Sequence, residues 1–255
     1  MEKGSRTHHG LGRLVRQFTI MRYAAVIPAY NESQAIESVV AGVNQVGISH
    51  NIKIVAVVVN DCSTDDTGKI INNLNCIAIH LPVNLGIGGA VQSGMKYAFR
   101  NGFDYAFQVD GDGQHPASEI PKLILSANET KHNVTIGSRF LAKEGFQSSA
   151  ARRAGIQFFT KLNKLLTGVT IHDPTSGFRL LDRKALAIIQ NYYPDEYPEP
   201  ESLVIYSKHN LTVSETPVMM RERDGGVSSI GGFDAIYYMF KVSLASIFSY
   251  VRTRK

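Results

Sequence analysis

The feature that most constrains this chain is an alternation. Short apolar runs, each ending in a cluster of glycine and polar residues, take turns with segments of helical spacing. Tyr23-Ala-Ala-Val-Ile-Pro28 is a buried-strand pattern stopped by proline, and Lys53-Ile-Val-Ala-Val-Val-Val59 is a second, rich in β-branched residues. Cys76 to His80, Asp104-Tyr-Ala-Phe-Gln-Val109 and Asn133 to Ile136 read as further strands. Between them Glu32 to Val46, Thr64 to Asn73, Gly89 to Asn101 and Pro116 to Lys131 carry helical spacing, the first with Ile36, Val39, Val40 and Val43 on one face. Strands that are apolar throughout need cover on both faces, and helical crossovers supply it. The pattern therefore predicts parallel βαβ units in a Rossmann-like α/β fold, a mostly parallel central sheet flanked by helices.

In such sheets ligands sit beyond the carboxyl ends of the strands. Here those ends read Pro28-Ala-Tyr-Asn-Glu32, Asn60-Asp-Cys-Ser-Thr-Asp65, Asn84-Leu-Gly-Ile-Gly-Gly89 and Asp110-Gly-Asp112. Polar residues and glycines gather along one edge, which predicts a single site there.

Beyond Gly137 the pattern changes. Ala150 to Thr167 reads as a basic amphipathic helix, Pro194 to Pro200 as a proline-rich loop and Leu211 to Met219 as a strand. Phe233 to Val251 is a long apolar stretch followed by Arg252, Arg254 and Lys255. Asp234, Lys241 and three serines within it favour lying in a membrane interface over spanning a bilayer. Met1 to Gln17 is basic and has no apolar run, so it does not read as a signal peptide. The expected organisation is a mobile basic tail over residues 1–20, one large domain over 21–231 and a C-terminal amphipathic helix over 232–255.

Charge narrows the function classes. A net charge of +5 suits a phosphate-bearing substrate, an anionic membrane face or nucleic acid. The basic residues are spread out and match no nucleic-acid-binding motif, so nucleic acid is not the expected partner. Cys62 and Cys76 form neither a CxxC pair nor a zinc spacing, and are expected to be reduced and buried.

Asp110-Gly-Asp112 is the central chemical signal. Two carboxylates two residues apart just past a strand can converge on a divalent cation, and the glycine between them allows a tight bend. Hard oxygen ligands suit Mg²⁺ or Mn²⁺, which also hold diphosphate oxygens. The same residues could form only a solvated turn, since Asp and Gly favour turns. An EF-hand would need glutamate where Pro121 stands. Gly86-Ile-Gly88-Gly89 departs from the dinucleotide fingerprint, with Val91 in the third glycine's place. It is either a turn that opens a helix or a close backbone approach to a ligand. Asp61 could accept hydrogen bonds from a base or ribose, while Ser63 or Thr64 could cap the next helix.

In combination the motifs are specific. Ile27-Pro-Ala-Tyr-Asn-Glu32, Val59-Asn-Asp-Cys-Ser-Thr-Asp-Asp-Thr67, Asn84-Leu-Gly-Ile-Gly-Gly-Ala90 and Val109-Asp-Gly-Asp-Gly-Gln-His-Pro116 resemble the family-two glycosyltransferases of GT-A fold. Gly137-Ser-Arg-Phe140, Asp173-Pro-Thr-Ser-Gly-Phe-Arg179 and Arg223-Asp-Gly-Gly-Val-Ser228 extend the likeness toward the dolichyl-phosphate mannosyltransferase and polyprenyl-phosphate sugar transferase branch. Two departures stand out: Cys62 replaces a common glycine, and the multi-helix membrane region of many members is missing.

The resemblance implies roles residue by residue. Pro28, Tyr30, Glu32, Asp61, Gly88, Asp110, Gly111 and Asp112 would bind the nucleotide-sugar, and Asp110, Asp112 and Gln114 would surround Mg²⁺ or Mn²⁺. Asp173, Arg179 and Arg223 would be catalytic, with Asp173 or a glutamate near 199–201 as base if the acceptor is a hydroxyl. Arg139, Ser176, Glu201 and Ser228 would meet the acceptor or its phosphate; Arg139 and Arg179 could instead be structural ion-pair partners. The implied function is inverting transfer of a hexosyl or N-acetylhexosaminyl group from a UDP- or GDP-sugar to a polyprenyl phosphate. The implied setting is the inner face of the cell membrane, with a small membrane protein or a second copy of the chain as further partner. The rival readings are a transferase extending a cell-surface polysaccharide, a nucleotidyltransferase and a catalytically silent nucleotide-sugar sensor. A nucleotidyltransferase usually places a glycine-rich, arginine-containing loop after the first strand, and Pro28 to Glu32 is not one.

Overall fold

A computed structural model describes residues 21–142, 150–195, 198–221 and 232–252. The tail expected over residues 1–20, together with Arg223 and Ser228, lies outside them. Seven strands form one sheet in the order β3-β2-β1-β4-β6-β5-β7. They are β1 Arg22–Ala29, β2 Lys53–Asn60, β3 Ile77–His80, β4 Tyr105–Gln108, β5 Val134–Ser138, β6 Arg179–Asp182 and β7 Val213–Pro217. All pairings are parallel except those of β6, which runs antiparallel to both β4 and β5. The expected mostly parallel sheet is thus observed.

The helices are α1 Ile36–Ser49, α2 Thr67–Ile71, α3 Gly86–Arg100, α4 Ile120–Thr130, α5 Ala150–Thr167, α6 Arg183–Ile189, α7 Pro198–Lys208 and α8 Gly232–Arg252. Successive strand residues serve opposite faces. Ala25 and Ile27 of β1 join Ile36, Val40 and Val43 of α1 and Leu123 of α4 in one core. Ala24 and Val26 join Val91 and Met95 of α3 and Leu186 of α6 in the other. This two-sided burial is why β1 and β2 read as unbroken apolar runs.

Several boundaries differ from expectation. α1 begins at Ile36 rather than Glu32: the Glu32 carbonyl accepts from the N–H groups of Ala35, at 3.1 Å, and Ile36, at 3.0 Å, and residues 33–35 form a turn that leads into the helix. α3 begins at Gly86, so the glycine run lies inside the helix instead of before it. Pro198 and Pro200 are not loop residues: they form the first turn of α7, where the missing N–H has no intrahelical partner to lose. Cys62 is exposed, not buried, at φ 59°, a conformation glycine adopts more easily; that accounts for the glycine usual at this position. Cys76 is half-buried, and burial pushes its thiol pKa up.

α8 packs on α7 and α5. Val242 and Ser246 face the body of the protein, whereas Phe240, Leu244, Ile247, Phe248 and Val251 form an exposed stripe. Among the described residues no helix is long and apolar enough to cross a membrane.

Candidate active site

The strand ends are clipped together before any ligand is considered. Asn31 Oδ1 accepts from the backbone N–H groups of Thr64, at 2.8 Å, and Asp65, at 3.3 Å. Ser63 Oγ accepts from the Asn31 N–H at 3.0 Å, and Asp65 Oδ2 accepts from the Ser33 N–H at 3.1 Å. Desolvation of Asp65 is outweighed by the hydrogen bonds it accepts from Thr67 and Ser33, which lower its pKa to about 2. Asp61 is buried, and its Oδ1 accepts from the Leu85 N–H at 2.7 Å, tying the loop after β3 to the end of β2.

These ties frame a cavity of about 430 Å³ on the carboxyl edge of the sheet. The β1 end contributes Pro28, Ala29, Tyr30 and Glu32; β2 contributes Asp61; the loop into α3 contributes Asn84, Gly86 and Ile87. Gln108, Asp110, Gly111 and Asp112 line the cavity from β4, Ala90 from α3 and Glu199 from α7. The nucleotide-binding residues expected from sequence thus share one cavity, with the exception of Gly88. Glycine is required at position 111, where a Cβ would lie 2.8 Å from the Pro28 carbonyl oxygen.

Gly88 is a correction. It does make a close backbone approach, but to the carbonyl oxygens of Pro194 and Asp195 instead of to a ligand space. Its role is to let the segment before α7 seat on α3.

The acidic pair lies in a tight loop. The Gln114 backbone N–H donates to Asp112 Oδ1 at 3.0 Å, and the Gly113 N–H reaches the Asp110 carbonyl at 3.4 Å with Gly113 at φ 78°. Gln114 does not line the cavity; its carbonyl accepts from the Arg221 N–H at 3.0 Å. Among the described residues no cluster of three or more His, Cys, Asp or Glu side chains is placed to hold a metal ion.

The basic residues expected to meet phosphates are placed differently. Arg139 Nε and Nη2 each donate to Asp173 at 2.7 Å, and the Arg139 backbone N–H adds a third bond to the same carboxylate at 3.1 Å. Asp173 is 0% exposed. Burial works against the Arg139 charge, but Asp173 outweighs it and holds the guanidinium pKa above its ordinary value. Arg179 is buried and donates to the carbonyls of Ser176, at 2.7 Å, and Pro174, at 2.8 Å, and to Ser202 Oγ at 2.7 Å. Ser176 Oγ donates to the Gly137 carbonyl at 2.6 Å. None of Arg139, Asp173, Ser176 and Arg179 lines the cavity. Asp173 in this setting pairs with Arg139, and the ion-pair reading of Arg139 is the one the geometry matches.

The glutamates of α7 also separate. Glu199 reaches the cavity, and desolvation raises its pKa, with Arg179 opposing that rise and Asp110 reinforcing it. Glu201 instead accepts from Ser249 Oγ of α8, so it joins two helices and does not face the cavity. Sequence reasoning missed Gln108 as a lining residue, and it placed Asn84 at the site's edge without giving it a role. Gln108 reads as part of a strand, and only its polarity within an otherwise apolar run could have flagged it.

The glycosyl transferase family 2 model matches residues 24–189, more than half of the chain. The chain belongs to glycosyl transferase family 2. A UDP-N-acetylglucosamine–dolichyl-phosphate N-acetylglucosaminyltransferase of Methanococcus voltae is 28% identical over 246 residues, covering 87% of this chain and 96% of that one. A polyprenol monophosphomannose synthase of Mycolicibacterium smegmatis is 29% identical over 232 residues, covering 87% of this chain and 86% of its own. Among solved structures, glucosyl-3-phosphoglycerate synthase from Mycobacterium tuberculosis, in complex with Mn²⁺, UDP-glucose and phosphoglyceric acid, superposes with a TM-score of 0.68. The identity there is 17%, over 92% of this chain and 81% of that one, so the likeness is one of fold.

Proposed function

We propose that this family 2 member is an inverting glycosyltransferase that passes a sugar from a UDP- or GDP-sugar to a polyprenyl phosphate at a membrane surface. The observation that carries the reading is the reach of the likeness. Relatives named for dolichyl and polyprenol phosphate align over 87% of the chain.

Pro28, Tyr30, Glu32, Asp61 and Gly111 hold the nucleotide in this reading. Asp110 and Asp112, both on the cavity wall, hold Mg²⁺ or Mn²⁺. Two protein carboxylates fit a hard cation that fills its other positions with water and diphosphate oxygens. Such an ion supplies charge stabilisation to a departing nucleoside diphosphate. The chain's own part is to fix the donor in a walled cavity and to leave one face of the sugar open. Arg223 and Ser228 are proposed to meet the acceptor phosphate.

A phosphate acceptor is already anionic and needs no strong base. Glu199→Gln is therefore expected to lower the transfer rate by less than about tenfold. With a hydroxyl acceptor, as in polysaccharide extension, loss of a base costs ~10²–10⁴-fold. In that case the wild-type rate would fall as pH drops through the Glu199 pKa, which burial places above the ordinary carboxylate range. Stability carries the opposite sign: the folded protein binds this proton more tightly than the unfolded chain, so the contribution is present at low pH and is lost as pH rises through the folded pKa.

The direct test is transfer of labelled sugar to undecaprenyl phosphate against undecaprenol in detergent. Labelling of the phosphate alone is expected; equal labelling of the alcohol would defeat the reading, and donor binding with no transfer would favour a silent sensor.

The proposed setting is peripheral, on the inner membrane face. The exposed stripe of α8 supports it, as do Phe158 and Leu165, exposed on α5 beside Arg153, Lys161 and Lys164. An amphipathic face of this kind suits an anionic interface. Exchange of Phe240 and Phe248 together for serine should weaken binding to anionic vesicles at least tenfold, since burying each aromatic side chain contributes about 1.5–3 kcal/mol. Melting should hold, because both side chains are exposed. Unchanged co-sedimentation would point instead to a small membrane protein or a second copy as the occupant of this face.

A further inference from the structure

Two buried polar residues, Gln108 and His115, meet on the same aspartate of the acidic pair. The Asp110 backbone N–H donates to His115 Nδ1 at 3.1 Å. An amide N–H can only donate, so Nδ1 carries a bare lone pair and the ring proton sits on Nε2. That nitrogen lies 3.5 Å from Asp110 Oδ2. One imidazole therefore touches both the main chain and the side chain of a residue five positions before it. Its own freedom is small: His115 is 5% exposed, and its ring stacks on Phe178 with centroids 5.1 Å apart.

The other carboxylate oxygen is engaged by Gln108, whose Nε2 donates to Oδ1 at 2.8 Å. Gln108 is confined in turn by Gly177, where a Cβ would lie 2.7 Å from the same nitrogen. Neutral donors thus approach both oxygens. Each oxygen keeps a further lone pair, and Asp110 lines the cavity.

We propose that His115 and Gln108 are positioning residues that set the backbone and rotamer of Asp110 for a divalent cation, His115 acting as its neutral Nε2–H tautomer. This rests on the metal reading given above. Donors behind a ligating carboxylate commonly govern metal affinity. A residue serving only to fill the core against Phe178 would leave that affinity unchanged.

The test uses the full chain and Mn²⁺, with free Mn²⁺ read by electron paramagnetic resonance in the presence of whichever of UDP and GDP stabilises the wild type. His115→Phe keeps the stacking and loses both polar contacts; Gln108→Leu loses the other donor. Each should weaken Mn²⁺ about 10–100-fold, with metal-free nucleotide binding held in His115→Phe and melting lowered by only a few degrees, as the loss of one or two hydrogen bonds implies. His115→Gln, which can place an amide N–H near the former Nε2, should recover part of the loss. In the metal-free wild type, nitrogen-detected NMR should show Nδ1 unprotonated and Nε2 protonated. Wild-type Mn²⁺ affinity in His115→Phe and Gln108→Leu, with binding lost in Asp110→Asn, would overturn this inference alone. A protonated Nδ1 would do the same, and should either variant fail to fold, that measurement still decides. A wild type that binds no Mn²⁺ with nucleotide overturns the metal reading and this inference together.

Discussion

Asp112→Ala should lower sugar transfer by about 10³-fold and leave the fold intact. The rate estimate follows from the usual cost of removing one preorganised charge-stabilising element, ~10²–10³-fold, at a site where only Asp110 and Asp112 are proposed to hold the cation. The stability estimate follows from placement. Asp112 is half-buried in a loop beyond β4, and its Oδ1 accepts from the Gln114 N–H at 3.0 Å. Losing that bond costs about 1 kcal/mol, a shift of roughly 2–4 °C in melting for a chain of this size. Asp112→Asn separates charge from geometry: the amide oxygen can still accept from Gln114, so melting should hold, while the rate still falls by most of the same factor. Metal-free nucleotide binding should survive in both, because Tyr30 and Asp61 reach the cavity from other strands. Initial rates against Mn²⁺ concentration, paired with melting curves, check this. Near wild-type turnover by either variant without added metal would remove the cation from the mechanism.

The parts of the molecule legible in its sequence are those governed by local pattern. β1 and β2 are buried on both faces, so they announce themselves as continuous apolar runs. The acidic pair is legible through its company: alone it fits a solvated turn equally well, but it follows a strand in step with the motifs at the ends of β1 and β2. β6 was not legible. Arg179-Leu-Leu-Asp182 is four residues long with a charge at each end, and its pairing partners lie far away in sequence. α7 was hidden for the opposite reason: Pro198, Pro200, Ser202, Leu203, Val204, Ile205 and Tyr206 are all buried, so no polar stripe marks a helical period. Gly88 shows a further limit. A glycine signals that something comes close, and the sequence does not say whether that is a phosphate or the carbonyls of Pro194 and Asp195.

The arginines carry the same lesson into energetics. A guanidinium suits a phosphate, a carboxylate or a row of carbonyls equally well, and Asp173 lies 34 residues from Arg139. The resemblance implies that Arg139 meets the acceptor or its phosphate and that Arg179 is catalytic. Their bonds include those to Asp173, Thr175, Ser202 and backbone carbonyls, so the two arginines are not by themselves an argument for an anionic acceptor. The polyprenyl phosphate reading then rests on the relatives, and on Arg223 as a proposal.

The Arg139–Asp173 pair should be among the costliest places to break this fold. Asp173→Ala removes the acceptor of two bonds at 2.7 Å and a third at 3.1 Å, leaving a guanidinium buried without its counter-charge. Removing one partner of a buried pair costs about 3–5 kcal/mol, on the order of 10 °C in melting temperature. Arg139→Ala should cost a similar amount, because Asp173 is then the stranded charge, held further by Glu215 through its backbone N–H at 2.9 Å. Replacing both, as Arg139→Met with Asp173→Leu, should recover most of the loss, since apolar side chains of similar volume often match a buried ion pair. Activity then separates structure from chemistry. If the pair only holds the segment before β6 against the end of β5, the double variant should turn over within about tenfold of wild type once it is stable. If Asp173 acts as a base, its loss costs ~10²–10⁴-fold whatever the melting temperature. A double variant that melts like the wild type and transfers no sugar would therefore return Asp173, or Arg139 with it, to the reacting groups.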